Sequence, residues 1–426
     1  MRSFTNSINT SSLSHQIANN LFIFYAIILS FLWMLLNYGG KGSDPYLGAG
    51  FRWLLISSPL FILIISDFLL VLVNHKIKSS PEIKFLFVYI LMMLFSSIIL
   101  ADLKLFSEVI RWALPLIFIA HFRVKIPLFV INGLFISAII IVILTYTQET
   151  SDYGYLPGQT KVNLHEGLWW RISIWKYSTP PYSAAFAIIV FFANFFLNTN
   201  KSRFLYYFLT LYFLLLSGSR TSYVIFLICI SICMINRASD LKFNKFYCLL
   251  PIAAVTLIFL MQIMSDLIPL LGIENEFFNS AILRNATSSG DSSNLSSRTL
   301  IIAEHLRMIA NADYGGFFGI GSNVMNSSAW TGNGGTLGGS TDSFVSHLLV
   351  RDGFSFIFLI LAFSSFFVRA MKNKSMLAYI CLLALLLYTI GYGAWLNLTS
   401  PVFVLYLGFI YNPISNYPKK QIGKDK

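Results

Sequence analysis

Charge is what this sequence has least of. Only 11% of its 426 residues are Asp, Glu, Lys or Arg, where a soluble domain carries about 25%. With 56% hydrophobic residues and a mean hydropathy of +0.70, a soluble globular domain is not expected. Repeated apolar runs point instead to a chain that crosses a membrane many times. Cysteine is scarce too. Cys229, Cys233, Cys248 and Cys381 all lie in or at the edge of apolar runs, so neither a disulfide framework nor a zinc site is implied. There is no Walker loop, no acid pair of Asp-x-Asp spacing for a nucleotide-sugar metal, and no His/Cys cluster. No cytoplasmic nucleotide chemistry, cofactor or metal is therefore expected. An activated donor would carry its own energy and arrive from the membrane. No internal repeat is visible, so the inverted-repeat plan of many transporters gains no support.

What the chain does have is about twelve apolar segments, near 20–38, 53–74, 84–101, 105–120, 126–147, 181–198, 204–217, 221–236, 247–270, 343–368, 375–392 and 396–412. A crossing helix needs roughly 20 residues, so the seventh and eighth segments should borrow from their flanks. The run near Leu21 lacks a small-residue cleavage site behind it and reads as a first helix, not a removed signal peptide. The expected fold is an all-α polytopic integral membrane protein, one transmembrane domain over residues 1–426.

The net charge of +12 could suggest nucleic acid, but lysine and arginine also collect in cytoplasmic loops. With the N-terminus inside, the inner segments hold Arg2; Lys76, Lys78 and Lys84; Arg123 and Lys125; Lys201 and Arg203; Arg237, Lys242 and Lys245; Arg369, Lys372 and Lys374; and the terminal Lys419, Lys420, Lys424 and Lys426. That is more than half of the 30 basic residues. Both termini are expected in the cytoplasm, with no nucleic-acid partner. Two long loops then fall outside, about 148–180 and 271–342. The first is rich in aromatics. The second is rich in Ser, Asn and Gly and ends in a glycine run that suits a mobile loop or lid.

The basic residues that oppose this bias each need a local reason, Arg171, Arg220, Arg298 and Arg351 among them. Arg220, in "SGSRTS", would sit in a tight outer turn. Gly218 permits the turn, and Ser219 and Thr221 can cap the next helix, whose N-terminus attracts anions. It either holds a phosphate or pyrophosphate at headgroup level, or snorkels to lipid phosphates or pairs with an acid. Arg171 stands beside Trp169, Trp170 and Trp175, either as part of an aromatic belt or as a sugar-stacking site. Arg298 opens an amphipathic helix with Leu300, Ile301, Leu306 and Ile309, capped by Ser296 or Ser297. A cation is disfavoured in that first turn, which favours a bound anion or an external carboxylate. Asp342, in "TDSFVSHLLVRDG", is either an ordinary helix cap or a general base at the membrane surface. His347 is the titratable group one turn further in. Glu108 and Arg111 are spaced to pair on one helix face, and Asp67 is a lone intramembrane acid.

Three stretches together resemble the O-antigen polymerase and O-antigen ligase superfamily of bacterial envelope enzymes. "LLLSGSRTSYVIFL" is similar to its short outer Ser-Arg turn. "SSRTLIIAEHLRMIANADYGGFFGIGSN" is similar to its large outer loop, with an arginine, a helix and then Gly-Ile-Gly. In ligases the third place reads His-Asn, nine residues, then Gly; Asp342-Ser343 and Gly353 fall at that spacing, with Asp in place of His. The resemblance covers the chain in topology and residues 165–355 in motif, and the Asp looks more like the polymerase branch. It implies a multi-pass protein of the bacterial inner membrane, with 148–180 and 271–342 as periplasmic loops. It implies a metal-independent glycosyltransferase without cofactor, acting on undecaprenyl-diphosphate-linked oligosaccharides among membrane lipids. A chain-length regulator and a flippase would be its company. Carried onto these residues, Arg220 and Arg298 would clamp the diphosphate and Asp342 would be the base. Arg171, Trp169, Trp170, Ser219 and His347 would line the substrate. The competing readings are an O-antigen ligase acting on lipid A–core, a lipid-linked oligosaccharide flippase or other transporter, and a purely structural assembly partner.

Overall fold

The computed structural model describes residues 16–28, 80–102, 105–106, 117–119, 121–122, 124–147, 180–217, 220–239, 249–251, 307–312, 316–321, 331–332, 335–336, 344–391 and 401–410, with positions 30, 253 and 256, some by backbone alone. They are mostly helical. In order the helices are α1 (Gln16–Ile28), α2 (Pro81–Ile99), α3 (Leu128–Thr147), α4 (Pro180–Leu197), α5 (Arg203–Leu216), α6 (Arg220–Ser239), α7 (Phe344–Asp352), α8 (Phe356–Lys372), α9 (Met376–Gly391) and α10 (Pro401–Ile410). Between α6 and α7 lies a two-residue antiparallel ladder, Thr331 with Thr336 and Gly332 with Gly335, joined by Asn333-Gly334. Asn-Gly is the pair that favours two-residue hairpin links.

Proline marks the starts. α2, α4 and α10 begin on Pro81, Pro180 and Pro401, where the missing N–H costs nothing. α2 and α8 end on a shared device. The Asp102 amide bonds the Ser97 carbonyl at 2.8 Å and Ala101 bonds Ile98 at 3.1 Å; Ser375 bonds Ala370 at 2.9 Å and Lys374 bonds Met371 at 3.0 Å. These are Schellman caps with Ala101 (φ 50°) and Lys374 (φ 51°) in the left-handed position that usually takes glycine.

The core sits on α4 and α9. From Ser183 to Asn194, and from Ser375 to Leu385, every residue is buried. Helices that are apolar all round belong in such a centre. The surrounding helices each keep one apolar face outward: Phe87, Leu91, Phe95 and Ile98 on α2, and Phe204, Phe208, Tyr212 and Leu215 on α5. Phe135 of α3 meets Phe186 of α4 at 5.8 Å and Phe213 of α5 at 5.5 Å between ring centroids. Helices α4 and α5 form an antiparallel hairpin sealed by Phe191 on Tyr207 at 4.9 Å.

Directions alternate. Glu82, in the first turn of α2, pairs with Arg369, in the last turn of α8, so those helices run antiparallel. The same end of the molecule carries Lys84, Lys201, Arg203, Lys372 and Lys374. Also there, Asn132 of α3 exchanges two side-chain hydrogen bonds with Asn194 of α4, at 2.7 and 3.2 Å, and Asn198 donates to Asn194 at 2.9 Å.

The apolar run 343–368 is helical but interrupted. It breaks after Asp352, where Gly353 takes φ +57° and opens a 3-10 turn over Gly353–Ser355 before α8 begins. Much of the runs 53–74, 105–120 and 247–270, with Asp67, Glu108 and Arg111, lies outside the described residues.

Candidate functional site

The break at Gly353 is held by a second segment of the chain. In an unbroken helix the Phe354 amide would donate to the Val350 carbonyl. Here Phe354 donates to the Phe317 carbonyl and Val350 accepts from the Ile320 amide, both at 2.9 Å. A strap between α6 and α7, Gly316–Gly321, supplies both replacement partners.

The strap fits because it is glycine where it touches. Gly319 (φ +70°) has its Cα against the Arg351 carbonyl, and a Cβ there would overlap that oxygen. Gly353 faces back, and a Cβ on it would overlap the Gly319 nitrogen and the Phe317 carbonyl oxygen. Two backbones therefore meet with no side chain between them. Phe317 stacks on Phe354 with ring centroids 5.0 Å apart and planes 12° apart. Gly321 rests on Asp102 and Leu100, at the end of α2. The strap thus bridges α2 and the α7–α8 break.

Beneath it lies a buried charged cluster. The Asp352 carboxylate, fully buried, accepts from Arg351 Nε at 2.5 Å and Nη2 at 3.1 Å. Tyr89 of α2 donates its hydroxyl to Asp352 Oδ2 at 2.6 Å. The Ser355 hydroxyl donates to the Asp352 carbonyl and lies 2.8 Å from the Met93 sulfur. A buried ion pair holds only when its remaining sites are also satisfied, and Tyr89 contributes to that here. Arg351, which opposed the charge bias in the sequence, has its local reason in Asp352.

A second polar point lies at the same end of the molecule, in the first turn of α6. Tyr388 of α9 donates to the Ser222 hydroxyl at 2.8 Å, and Tyr223 donates to the Leu215 carbonyl at 2.7 Å across the "SGSRTS" turn. On the next face Tyr406 of α10 donates to the Ala185 carbonyl at 2.8 Å. Helix α9 packs against both α6 and α7, so it stands between the two helices that carry sequence motifs.

No family model matches this chain, and no curated protein matches it.

Of the residues singled out in sequence, Arg220 is the first residue of α6 and His347 lies near the start of α7, each described by backbone alone. Asp342, Ser219, Arg298, Arg171, Trp169 and Trp170 lie outside the described residues. Two motif segments do come together: the Gly-Phe-Phe-Gly-Ile-Gly stretch of the large loop and the Arg351-Asp352-Gly353 end of α7. Sequence reasoning missed Tyr89, Tyr388 and the strap's insertion. Only the Gly-Ile-Gly spacing and the out-of-place Arg351 signalled them. Among the described residues no group of three His, Cys, Asp or Glu is arranged to hold a metal.

Proposed function

We propose that this protein is an O-antigen, or related surface-polysaccharide, polymerase of the bacterial inner membrane. The observation that carries the reading is the contact between the second and third motif stretches at Gly319 and Gly353. In sequence these stretches pointed to the family only by their order. Membrane residence is supported by two helical stretches, Pro81–Ile99 and Leu348–Lys372, the second running through the Gly353 turn, both long and apolar enough to cross a bilayer by length and composition. Each is only 33% buried within the fold, whereas the core helix of a soluble protein would be mostly buried. Apolar faces left outward on α2 and α5 suit lipid. The basic end then faces the cytoplasm, and the strap faces the periplasm.

In the proposed reaction the acceptor is a sugar hydroxyl at the non-reducing end of a new lipid-linked repeat unit. Asp342 takes its proton as the oxygen attacks the anomeric carbon of the growing chain. The bond from that carbon to the lipid diphosphate breaks, and undecaprenyl diphosphate leaves with the electron pair. Arg220 and Arg298 stabilise the charge that develops on it, aided by the fit of a guanidinium to phosphate oxygens. The lipid diphosphate supplies the driving force, so no nucleotide enters.

Asp342→Asn tests the assignment in cells lacking the native copy, read as a polysaccharide ladder on a gel. The expected ladder collapses to single repeat units on the lipid core. An unchanged ladder removes Asp342 from the mechanism. Loss of all repeat units from the core on deletion of the protein would point to a ligase instead.

A further inference from the structure

We propose that the Gly316–Gly321 strap is a positioning element. By taking over the hydrogen bonds of Val350 and Phe354, it sets the angle between α7 and α8, and with it where the chain just after Asp342 stands against the large outer loop. This rests on the glycosyl-transfer reading, in which Asp342 precedes α7 and Arg298 belongs to that loop.

The same two backbone groups have two ways to be satisfied. With the strap seated, Ile320 and Phe317 pair with Val350 and Phe354, and Gly353 stays left-handed. With the strap withdrawn, Phe354 can pair with Val350, and α7 and α8 become one continuous helix. Neither arrangement leaves the Val350 carbonyl or the Phe354 amide without a partner, so exchange between them does not carry that penalty for α7 and α8. What favours the seated form is specific. Gly353 is a poor helix former, Phe317 stacks on Phe354, and Gly319 leaves room for the Arg351 carbonyl. Asp352, held by Tyr89 and Arg351, pins the residue before the break to α2. Straightening the helix must therefore move α7 while α8 stays paired with α2 through Arg369 and Glu82. Gly319 and Gly353 are positioning residues: they act through the placement of α7 and the loop.

The test uses full-length protein in lipid nanodiscs, with hydrogen–deuterium exchange and polymerisation of lipid-linked repeat units measured on one preparation. Gly353→Ala favours the continuous helix and overlaps Gly319. Its expected effect is at least tenfold faster exchange at the Ile320 amide, with Phe354 still protected by Val350. The expected kcat falls tenfold or more while the donor KM stays within twofold. Gly319→Ala, which leaves the break intrinsically permitted, should release Ile320 equally and serves if Gly353→Ala does not fold. Unchanged Ile320 exchange in a folded variant overturns the seated strap. A released strap with undiminished kcat overturns the positioning role and leaves the polymerase reading standing. If wild-type protein makes no polymer, the transfer reading falls and the positioning role with it, while the exchange data still decide the seat.

Discussion

Asp352 has three hydrogen bonds from two side chains, and its value to the fold depends on their staying together. Replacing Arg351 with Met leaves a buried carboxylate short of its counter-charge. The expected loss is about 3–5 kcal/mol, the usual cost of stranding one member of a buried pair. Combining Arg351→Met with Asp352→Asn removes the charge and keeps an acceptor for Tyr89, so most of that loss should return. A thermal melt of the two variants in detergent checks this: the double variant should melt above the single one. Tyr89→Phe alone deletes one donor and should cost about 1–3 kcal/mol. Lys374 argues the opposite way. Its φ of 51° sits where a Cβ is strained, so Lys374→Gly should stabilise by about 1 kcal/mol. A lower melting temperature for that variant would show that the lysine side chain contributes more than its backbone strain costs.

At the scale of elements, antiparallel helices pair, and two of the pairs carry a polar lock. Helices α2 and α8 are locked by Glu82 and Arg369, and Tyr89 ties α2 to Asp352 at the end of α7. Helices α3 and α4 are locked by Asn132 and Asn194. Asn194 is fully buried and also donates to the Val190 carbonyl at 2.9 Å. Asn194→Ala would leave Asn132 and Asn198 short of partners, for an expected loss of about 1–3 kcal/mol. In hydrogen exchange the change should be confined to the basic end of α3 and α4. Uniform loosening along both helices would contradict a local lock. Helix extents were legible where an apolar run met proline or a basic turn. The run 84–101 became Pro81–Ile99, 181–198 became Pro180–Leu197 and 204–217 became Arg203–Leu216. The break in 343–368 was not legible, because a glycine inside an apolar run is usually tolerated as helix. The strap that opens it comes from more than thirty positions upstream. Tyr89, likewise, is one of 21 tyrosines, and its partner lies 263 positions away.

At the scale of the whole molecule, α4 and α9, with their long buried stretches, pack among described helices that keep apolar faces outward. Basic turns gather at one end and the glycine strap lies at the other. The sequence's sparse charge and its bias of lysine and arginine anticipated this polarity. They could not say that the large loop reaches into a helix, because that contact is backbone to backbone and leaves no side-chain signature beyond its glycines. Under the proposed function the polymer is made at the strap's end, from substrates that enter through the lipid, without nucleotide or metal. The most direct test gives purified protein in nanodiscs only undecaprenyl-diphosphate-linked repeat units, with a metal chelator present. A ladder of polymer and release of free undecaprenyl diphosphate are expected. Polymer that appears only when divalent metal is restored, or no polymer under either condition, would contradict the proposed function.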